Sequence, residues 1–165
     1  RALCYYFILK IYSNISDPIT WVVNHNSDIN LSWDQKQIRD HFTNKNCLNI
    51  FFEDKNHISG LILGHEIFNH NQNREIEILH LGVVKNKRNN GIGYSLMKSF
   101  EKKAHLEGEN TTIFLEVNAQ NEIAIKLYEK LGYKAYNERK NYYKDLTNLN
   151  AVGDSAILFK KIINE

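Results

Sequence analysis

The amino-acid sequence predicts an α/β fold in which helices flank one mixed β-sheet, in a single domain over residues 1–165. Its 165 residues are 42% apolar and 12% aromatic, which is enough to bury the core of one domain. Segments with strand-like and helix-like spacing follow one another in the order β, α, α, β, β, β, α, β, α, β, β. In the stretch VVKNKRNNGIGYSLMKSF, 83–100, a strand leads directly into a helix.

The first half of the chain is predicted to hold a strand, two helices and a three-stranded meander. Asp17-Pro18 fits an N-cap followed by proline at the first helical position. Polar stretches between apolar runs mark the turns of the meander. The predicted ranges are 2–11 for the first strand, 19–25 and 32–42 for the helices, and 48–52, 57–68 and 76–84 for the meander, whose loops are EDKN and NHNQNRE (69–75).

The second half is predicted to alternate helices and strands. The helix that follows Gly91 is expected to continue to about Gly108, a candidate C′ residue. The segment 111–117 is rich in β-formers, and a helix over 121–133 ends at Gly132. This helix presents one apolar face, formed by Ala124, Leu127, Tyr128 and Leu131. Two last strands are expected within 133–145 and 151–162.

Charge and cysteine content argue against several classes of function. The 21 basic and 19 acidic residues are mixed along the chain and leave a net charge of +2, so neither nucleic acid nor a membrane surface is an expected partner. Cys4 and Cys47 are expected to be buried thiols in a reducing compartment, with a disulfide as the alternative. The run 2–11 is too short for a membrane span and lacks a cleavage site, which favours a cytoplasmic protein.

The segment from Arg88 to Tyr94 has the composition of an anion-binding turn. Glycines at 91 and 93 let a ligand approach the backbone, and the first N–H groups of the helix point outwards with the positive end of its dipole. We therefore predict a cradle for phosphate, with a purely structural turn as the alternative. The sequence has neither the third glycine of a dinucleotide fingerprint nor the G-K-[ST] of a triphosphate loop.

Two motifs resemble the GNAT acyltransferase superfamily. The strand–R-x-x-G-x-G–helix unit resembles its acetyl-CoA signature. FLEVNAQNEIAIKLYEKLGYK (114–134), followed by ERKNYYKD, resembles the ribosomal-protein-alanine N-acetyltransferase (RimI) family, as do INLSWDQKQIRDHF and ILHLGVV. The resemblance implies a GNAT-type sheet, mostly antiparallel with a parallel pair at its splayed centre, and acetyl-CoA as co-substrate.

The resemblance also implies roles for individual residues. Glu116 matches the family's general base and Tyr128 its general acid, although a surface carboxylate and a core aromatic are the plainer alternatives. Trp33, Tyr142 and Tyr143 fall in segments that hold the acceptor. The cofactor-binding positions are the strand Leu81, Gly82 and Val83, the cradle Arg88, Asn89, Asn90, Gly91, Ile92, Gly93 and Tyr94, and the helix cap Asn121.

Two departures of the sequence from the family pattern bear most on the site, besides Lys85 and Tyr94, which also differ from the usual residues. Asn89 and Asn90 stand where many relatives carry Arg or Gly, and the segment 144–156 lacks the family's acidic E-D-A ending. The second departure affects the acceptor side, because that loop shapes the acceptor site in relatives. No metal is expected, since no Cys or carboxylate cluster accompanies His65 and His70.

The resulting hypothesis is an N-acetyltransferase for protein N-terminal α-amines, in the cytoplasm. By resemblance its acceptor is the N-terminal alanine of a small-subunit ribosomal protein. An acetyltransferase for lysine side chains or small amines is the first alternative, because the same donor site would serve it. A non-catalytic acyl-CoA-binding module is the second.

Overall fold

A computed structural model describes residues 5–8, 18–54, 57–143 and 153–164. Within them, seven strands and four α-helices follow the order that the sequence predicts. A short 3₁₀ turn, Lys85–Lys87, precedes the third helix. The elements are β1 Tyr5–Ile8, α1 Pro18–His25, α2 Gln35–Thr43, β2 Cys47–Asp54, β3 His57–His70, β4 Asn73–Val83, α3 Ile92–Ala104, β5 Asn110–Asn118, α4 Glu122–Lys130, β6 Lys134–Tyr143 and β7 Asp154–Ile163.

The strands form one mixed sheet in the order β1-β2-β3-β4-β5-β7-β6. At its centre β4 and β5 are parallel, and the neighbouring pairs β2–β3, β3–β4, β5–β7 and β7–β6 are antiparallel. The predicted fold class is therefore confirmed. The structure adds a second parallel pair at one edge, between β1 and β2.

The two central strands separate halfway along their length. β4 pairs with β5 only as far as Ile78, opposite Leu115, whereas β5 continues along β7 to Asn118. At the same level β4 contains one extra residue, Leu79, relative to β3. Such a bulge bends a strand and increases its twist. We call the resulting gap, between residues 79–83 of β4 and 116–118 of β5, the β4–β5 opening.

Helices cover both faces of the sheet, and each face has its own core. On one face α3 and α4 pack on inward side chains of the central strands, such as Ile76, Ile113 and Leu115. On the other face α1 and α2 pack on β2 and β3 through residues such as Leu61 and Leu63. We call these the α3/α4 face and the α1/α2 face. Because strand side chains alternate, β2 and β3 contribute to both cores.

Helix α2 begins one turn later than predicted, for a local reason. Asp34 is its N-cap, and the Asp34 carboxylate accepts from the Gln37 N–H (2.8 Å) while the Gln37 side chain accepts from the Asp34 N–H (2.9 Å). This reciprocal capping box satisfies two backbone donors and fixes the start of the helix.

Two predicted boundaries are wrong. α3 ends at Ala104 rather than near Gly108, because His105 already has extended backbone angles, and Gly108 instead takes a positive φ of 79° in the turn before β5. The predicted polar loop 69–75 is mostly strand. Asn71 and Gln72, both with positive φ, form a two-residue turn of the kind that closes a tight hairpin.

The prediction that both cysteines are thiols is wrong for Cys47, which is disulfide-bonded. Tyr5 pairs with Leu48, the residue after Cys47, so the parallel pair β1–β2 brings the start of the chain to this strand. Cys4 lies outside the described residues, as do most of the predicted strand 2–11, the N-cap Asp17 and the segment 144–152. Within the described ranges, no helix is long and apolar enough to span a membrane.

Candidate functional site

The predicted anion cradle is a tight turn between β4 and α3. Asn89 and Gly91 both have left-handed backbone conformations, with φ of 61° and 76°. Between them, the Asn90 side-chain amide donates to the carbonyls of Lys87 (3.2 Å) and Arg88 (3.1 Å). These two hydrogen bonds within the turn stabilise its conformation. A tight turn with left-handed residues directs successive N–H groups to one side, where an anion can bind.

The first turn of α3 provides further donors. The first N–H bonded within the helix is that of Ser95, which donates to the Gly91 carbonyl (3.0 Å). The N–H groups of Ile92, Gly93 and Tyr94 precede it and have no helical acceptor. A Cβ built on Gly91 meets no atom within 4 Å. The space in front of this helix end is therefore open to a ligand, and the chemistry fits a phosphate or pyrophosphate.

The Arg88 side chain is engaged with the protein itself. Its Nε donates to the Val83 carbonyl (2.9 Å), and its Nη2 donates to the Asp28 carbonyl (2.8 Å). Arg88 therefore ties the end of β4 to the turn that connects α1 and α2. Its guanidinium therefore stabilises the cradle turn through bonds to the protein backbone.

The backbone of β4 faces the opening at alternate residues. The Val84 N–H donates to the Ser59 carbonyl (3.0 Å) on β3, so residue 84 bonds towards that strand. Neighbouring residues of a strand direct their backbone groups to opposite sides. The N–H groups of Val83 and Leu81 consequently point to the β4–β5 opening. This geometry suits an extended ligand that pairs with β4 as an added strand.

The protein itself leaves no room for a side chain at Gly82. A Cβ at this position would lie 2.8 Å from the Ile29 Cβ and 2.9 Å from the His80 Nε2. The α1–α2 turn thus packs directly on the β4 backbone, and His80 bonds to the Ile29 carbonyl (3.0 Å). Burial lowers the pKa of His80, an effect that the Ile29 carbonyl partly opposes. The missing side chain of Gly82 thus makes room for Ile29 and His80, and its contact with a cofactor stays a prediction.

Glu116 lies on the α1/α2 face at the edge of the opening. Its neighbours Leu115 and Val117 are buried in the core under α3 and α4, so the carboxylate between them points to the opposite face. Its Oε1 forms an ion pair with Arg139 Nη1 (2.8 Å). Its Oε2 is buried without a hydrogen-bond partner among the described residues.

A cavity of about 200 Å³ lies beside Glu116 on this face. Its wall includes two more carboxylates, Glu75 and Glu77 of β4, and the ring of Tyr136 from β6. Burial raises the pKa of the Tyr136 hydroxyl, and the negative charge of Glu116 adds to the rise, while Arg139 opposes it. The remaining wall residues are Ile67, Phe114, Leu115, Arg139 and Leu158.

Tyr128 lies on the other face, inside the core. Its ring is 6% exposed and packs at 6.1 Å, centroid to centroid, from both Tyr133 and Phe159. The aromatic ring therefore belongs to the core, as the plainer alternative predicts. The role of its hydroxyl as general acid stays a prediction. Asn121 caps the same helix, since its side chain accepts from the Ala124 N–H (3.2 Å).

The three predicted acceptor residues are dispersed. The Trp33 ring packs 5.2 Å from His41, and His41 bonds to Asn49 of β2, two strands away from β4. Tyr142 is half exposed and its ring lies 5.4 Å from the Arg139 guanidinium carbon. Tyr143 pairs with Asp154 through the backbone. The structure thus brings Tyr142, but not Trp33, towards Glu116.

Several groups of the site were not predicted from the sequence. Arg139 stands in the ERKNYYKD motif, which gave it no role. Glu75 and Glu77 alternate with Ile76 and Ile78, a pattern that could have placed both carboxylates on the face of Glu116. The contact of His80 with the α1–α2 turn left no signal in the sequence. Among the described residues, no three His, Cys, Asp or Glu side chains form a metal-binding cluster.

The fold, the cradle and the central opening define a known class of protein. Residues 11–133 match the model of the acetyltransferase (GNAT) family, and the chain belongs to this family. It is similar to N-alpha-acetyltransferase 50 of Danio rerio, with 34% identity over 76 residues, or 46% of this chain and 45% of the relative.

The [ribosomal protein bS18]-alanine N-acetyltransferase of Escherichia coli is 33% identical over 69 residues, or 42% of this chain and 46% of that protein. The chain thus spans about half the length of the curated relatives it matches. The crystal structure of the ribosomal-protein-S18-alanine N-acetyltransferase from Escherichia coli has a TM-score of 0.74 at 20% identity, over 94% of both chains. The structure of Arabidopsis thaliana NAA60 in complex with acetyl-CoA has a TM-score of 0.72 at 16% identity, over 89% of this chain and 94% of that chain. The resemblance to the RimI family is confirmed.

Proposed function

We propose that the chain is an acetyl-CoA-dependent N-acetyltransferase for protein or peptide N-terminal α-amines. The observation that carries this proposal is the β4–β5 opening, which joins an anion cradle to Glu116 on the opposite face of the sheet. Membership of the GNAT family supports acetyl transfer. The names of the zebrafish and Escherichia coli relatives support an α-amine as the acceptor.

Acetyl-CoA would bind along the cradle and β4. The N–H groups of residues 89–94 suit its pyrophosphate, and the backbone of Leu81 and Val83 suits its pantetheine arm. The N–H of Val83 would donate to the thioester oxygen and stabilise the oxyanion that forms there. Asn121, at the start of α4, would contact the arm in addition to capping its helix.

Glu116 would accept the proton of the acceptor amine, directly or through water. The neutral amine attacks the thioester carbonyl, a C–N bond forms and the C–S bond breaks. An α-amine with a pKa of about 7.7–8.0 has roughly a tenth of its molecules neutral at pH 7, far more than a lysine near 10.4. A carboxylate base is therefore sufficient for an N-terminus.

Tyr128 would protonate the departing thiolate of CoA. Its helix begins beside the opening and carries the ring on the α3/α4 face, the same face as the cradle. Its burial excludes water from the phenol, which favours directed proton transfer over exchange with solvent.

The acceptor would enter on the α1/α2 face, beside Glu116. By family resemblance it is the N-terminal alanine of a small-subunit ribosomal protein, held in part by Tyr142 and Tyr143. A location in the cytoplasm belongs to the same proposal, although the disulfide at Cys47 removes one of the observations that favoured it.

A panel of acceptors tests the proposal. Purified protein is incubated with acetyl-CoA and an alanine-started peptide, the same peptide with a blocked N-terminus and an internal lysine, or a polyamine, and CoA release is measured. We expect release only with the free α-amine. Release with lysine or polyamine would favour the first alternative. Binding of acetyl-CoA without release on any amine would identify a binding module.

A further inference from the structure

We propose that Arg139 is a positioning residue for Glu116, holding its carboxylate in one orientation beside the site of the incoming amine. The inference rests on the proposed function and names a residue that the family motif left without a role. Three observations carry it: an ion pair, a buried carboxylate oxygen without a partner among the described residues, and a cation–π contact.

The ion pair crosses a whole strand. Glu116 belongs to β5 and Arg139 to β6, and β7 runs between them. On β7, Leu158 is opposite Glu116 and the small Ala156 is opposite Arg139. Only a long side chain can span this distance, and the small alanine leaves room for its stem. The 2.8 Å contact is therefore made by a long side chain that is stretched over β7.

The ion pair with Arg139 uses only one of the two carboxylate oxygens of Glu116. Oε1 is paired with the guanidinium, whereas Oε2 is buried and unpartnered among the described residues. Glu116 and Arg139 both line the 200 Å³ cavity, so the ion pair stands beside a space where an amine can bind. A base held at one oxygen has a fixed direction for proton transfer at the other.

Tyr142 restrains the arginine from outside. β6 has two more residues than β7 between Arg139 and Tyr143, and Asn141 within this bulge has a positive φ of 54°. Bulges re-aim side chains. Here the bulge brings the Tyr142 ring to 5.4 Å from the guanidinium carbon, within the range of a cation–π contact. The Tyr142 ring thus limits the positions that the guanidinium can take.

The test measures steady-state kinetics of Arg139→Gln, Glu116→Gln and the double variant, with acetyl-CoA and the best peptide of the panel. Lys140→Gln is the control, since it removes the same charge from the next residue of β6. We expect Arg139→Gln to lower kcat by about 10-fold or more, and Glu116→Gln by ~10²–10⁴-fold. The double variant should match Glu116→Gln alone, because Arg139 acts only through that carboxylate.

Melting temperature and the acetyl-CoA Kd are measured on every variant to exclude loss of fold. Arg139→Lys is the second variant. It keeps the positive charge but lacks the planar guanidinium, so its turnover should lie between those of the wild type and Arg139→Gln. If Arg139→Gln had the kcat of the wild-type protein, this inference would be wrong and the proposed function would stand. The same holds if the losses of the two single variants add fully in the double variant. No turnover by wild-type protein on any amine would overturn the proposed function and this role with it.

Discussion

The α3/α4 side of the β4–β5 opening has its proposed ligand-binding groups in one short segment, 88–94, whereas those of the α1/α2 side come from β4, β5 and β6. In the cradle, backbone N–H groups are presented by local conformations such as the positive φ of Asn89 and Gly91. Around Glu116, side chains from distant parts of the sequence meet across strands. The first arrangement depends on local sequence, and the second depends on strand register.

Because of this difference, different kinds of substitution should disrupt the two sides. Backbone donors in a tight turn tolerate the loss of a side chain but not a change of conformation. Side-chain groups on the opposite face tolerate conformational adjustment but not a change of chemistry. Substitutions can therefore separate binding of acetyl-CoA from turnover.

Tyr128→Phe should produce the largest effect, a fall in kcat of roughly 10²–10⁴-fold with nearly unchanged acetyl-CoA affinity. The substitution removes the hydroxyl that would protonate the thiolate and keeps the ring that packs on Phe159. Stopped-flow or steady-state CoA release measures it, and calorimetry measures the affinity. Turnover equal to wild type would leave Tyr128 with the core role only.

Gly91→Val should abolish measurable acetyl-CoA binding, while Gly108→Val should preserve it. Both glycines have nearly the same positive φ, 76° and 79°, and a Cβ added at either one would meet no atom within 4 Å. The backbone strain of valine is therefore matched at the two positions, at about 1–2 kcal/mol. Only Gly91 belongs to the cradle. Equal affinity in the two folded variants would refute the cradle.

Arg88→Ala should weaken acetyl-CoA binding by no more than about tenfold, since the cradle donors are backbone groups. It should also lower the free energy of unfolding by about 1–2 kcal/mol, because the Val83 and Asp28 carbonyls each lose a donor. Binding titrations and denaturant melts give both quantities. A complete loss of binding in a stable variant would mean that the guanidinium contacts the ligand.

The smallest predicted effect is a loss of stability in mild acid that is caused by protonation of His80. The pKa of His80 is lowered in the fold, so below about 6.5 the unfolded chain binds the proton more readily and stability falls as pH falls. His80→Gln keeps a donor for the Ile29 carbonyl and removes the titration. Its loss of stability between pH 7.5 and 5.5 should be smaller by up to about 1 kcal/mol. Identical pH dependence would assign the loss to other groups.

The sequence predicted the parts of the molecule that local rules determine. The order of strands and helices, the helix start after Gly91 and the cap at Asn121 follow from turn chemistry and periodicity, and each is present. Helix ends and long hairpins were less accessible, as α3 and the 69–75 segment show. Both boundaries depend on the backbone conformations of single residues, His105 for the helix and Asn71 and Gln72 for the hairpin, which composition alone did not specify.

The site beside Glu116 was accessible only in part. The motif identified Glu116 and the tyrosine pair, but the Arg139 contact depends on β7 lying between β5 and β6 and on the bulge before Tyr143. His80 faces the α1–α2 turn because Leu79 is bulged, which shifts the alternation of every later residue in β4. One-residue shifts of this kind have no marker in the sequence.

Amide hydrogen exchange, with and without acetyl-CoA, tests the division between the two sides most directly. On wild-type protein we expect acetyl-CoA to slow exchange in peptides covering 79–84 and 89–94, where free N–H groups would gain acceptors or a bound neighbour. Peptides from β6, 134–142, should exchange at the same rate in both states. Protection confined to β6, or absent from the whole chain at saturating acetyl-CoA, would contradict the account.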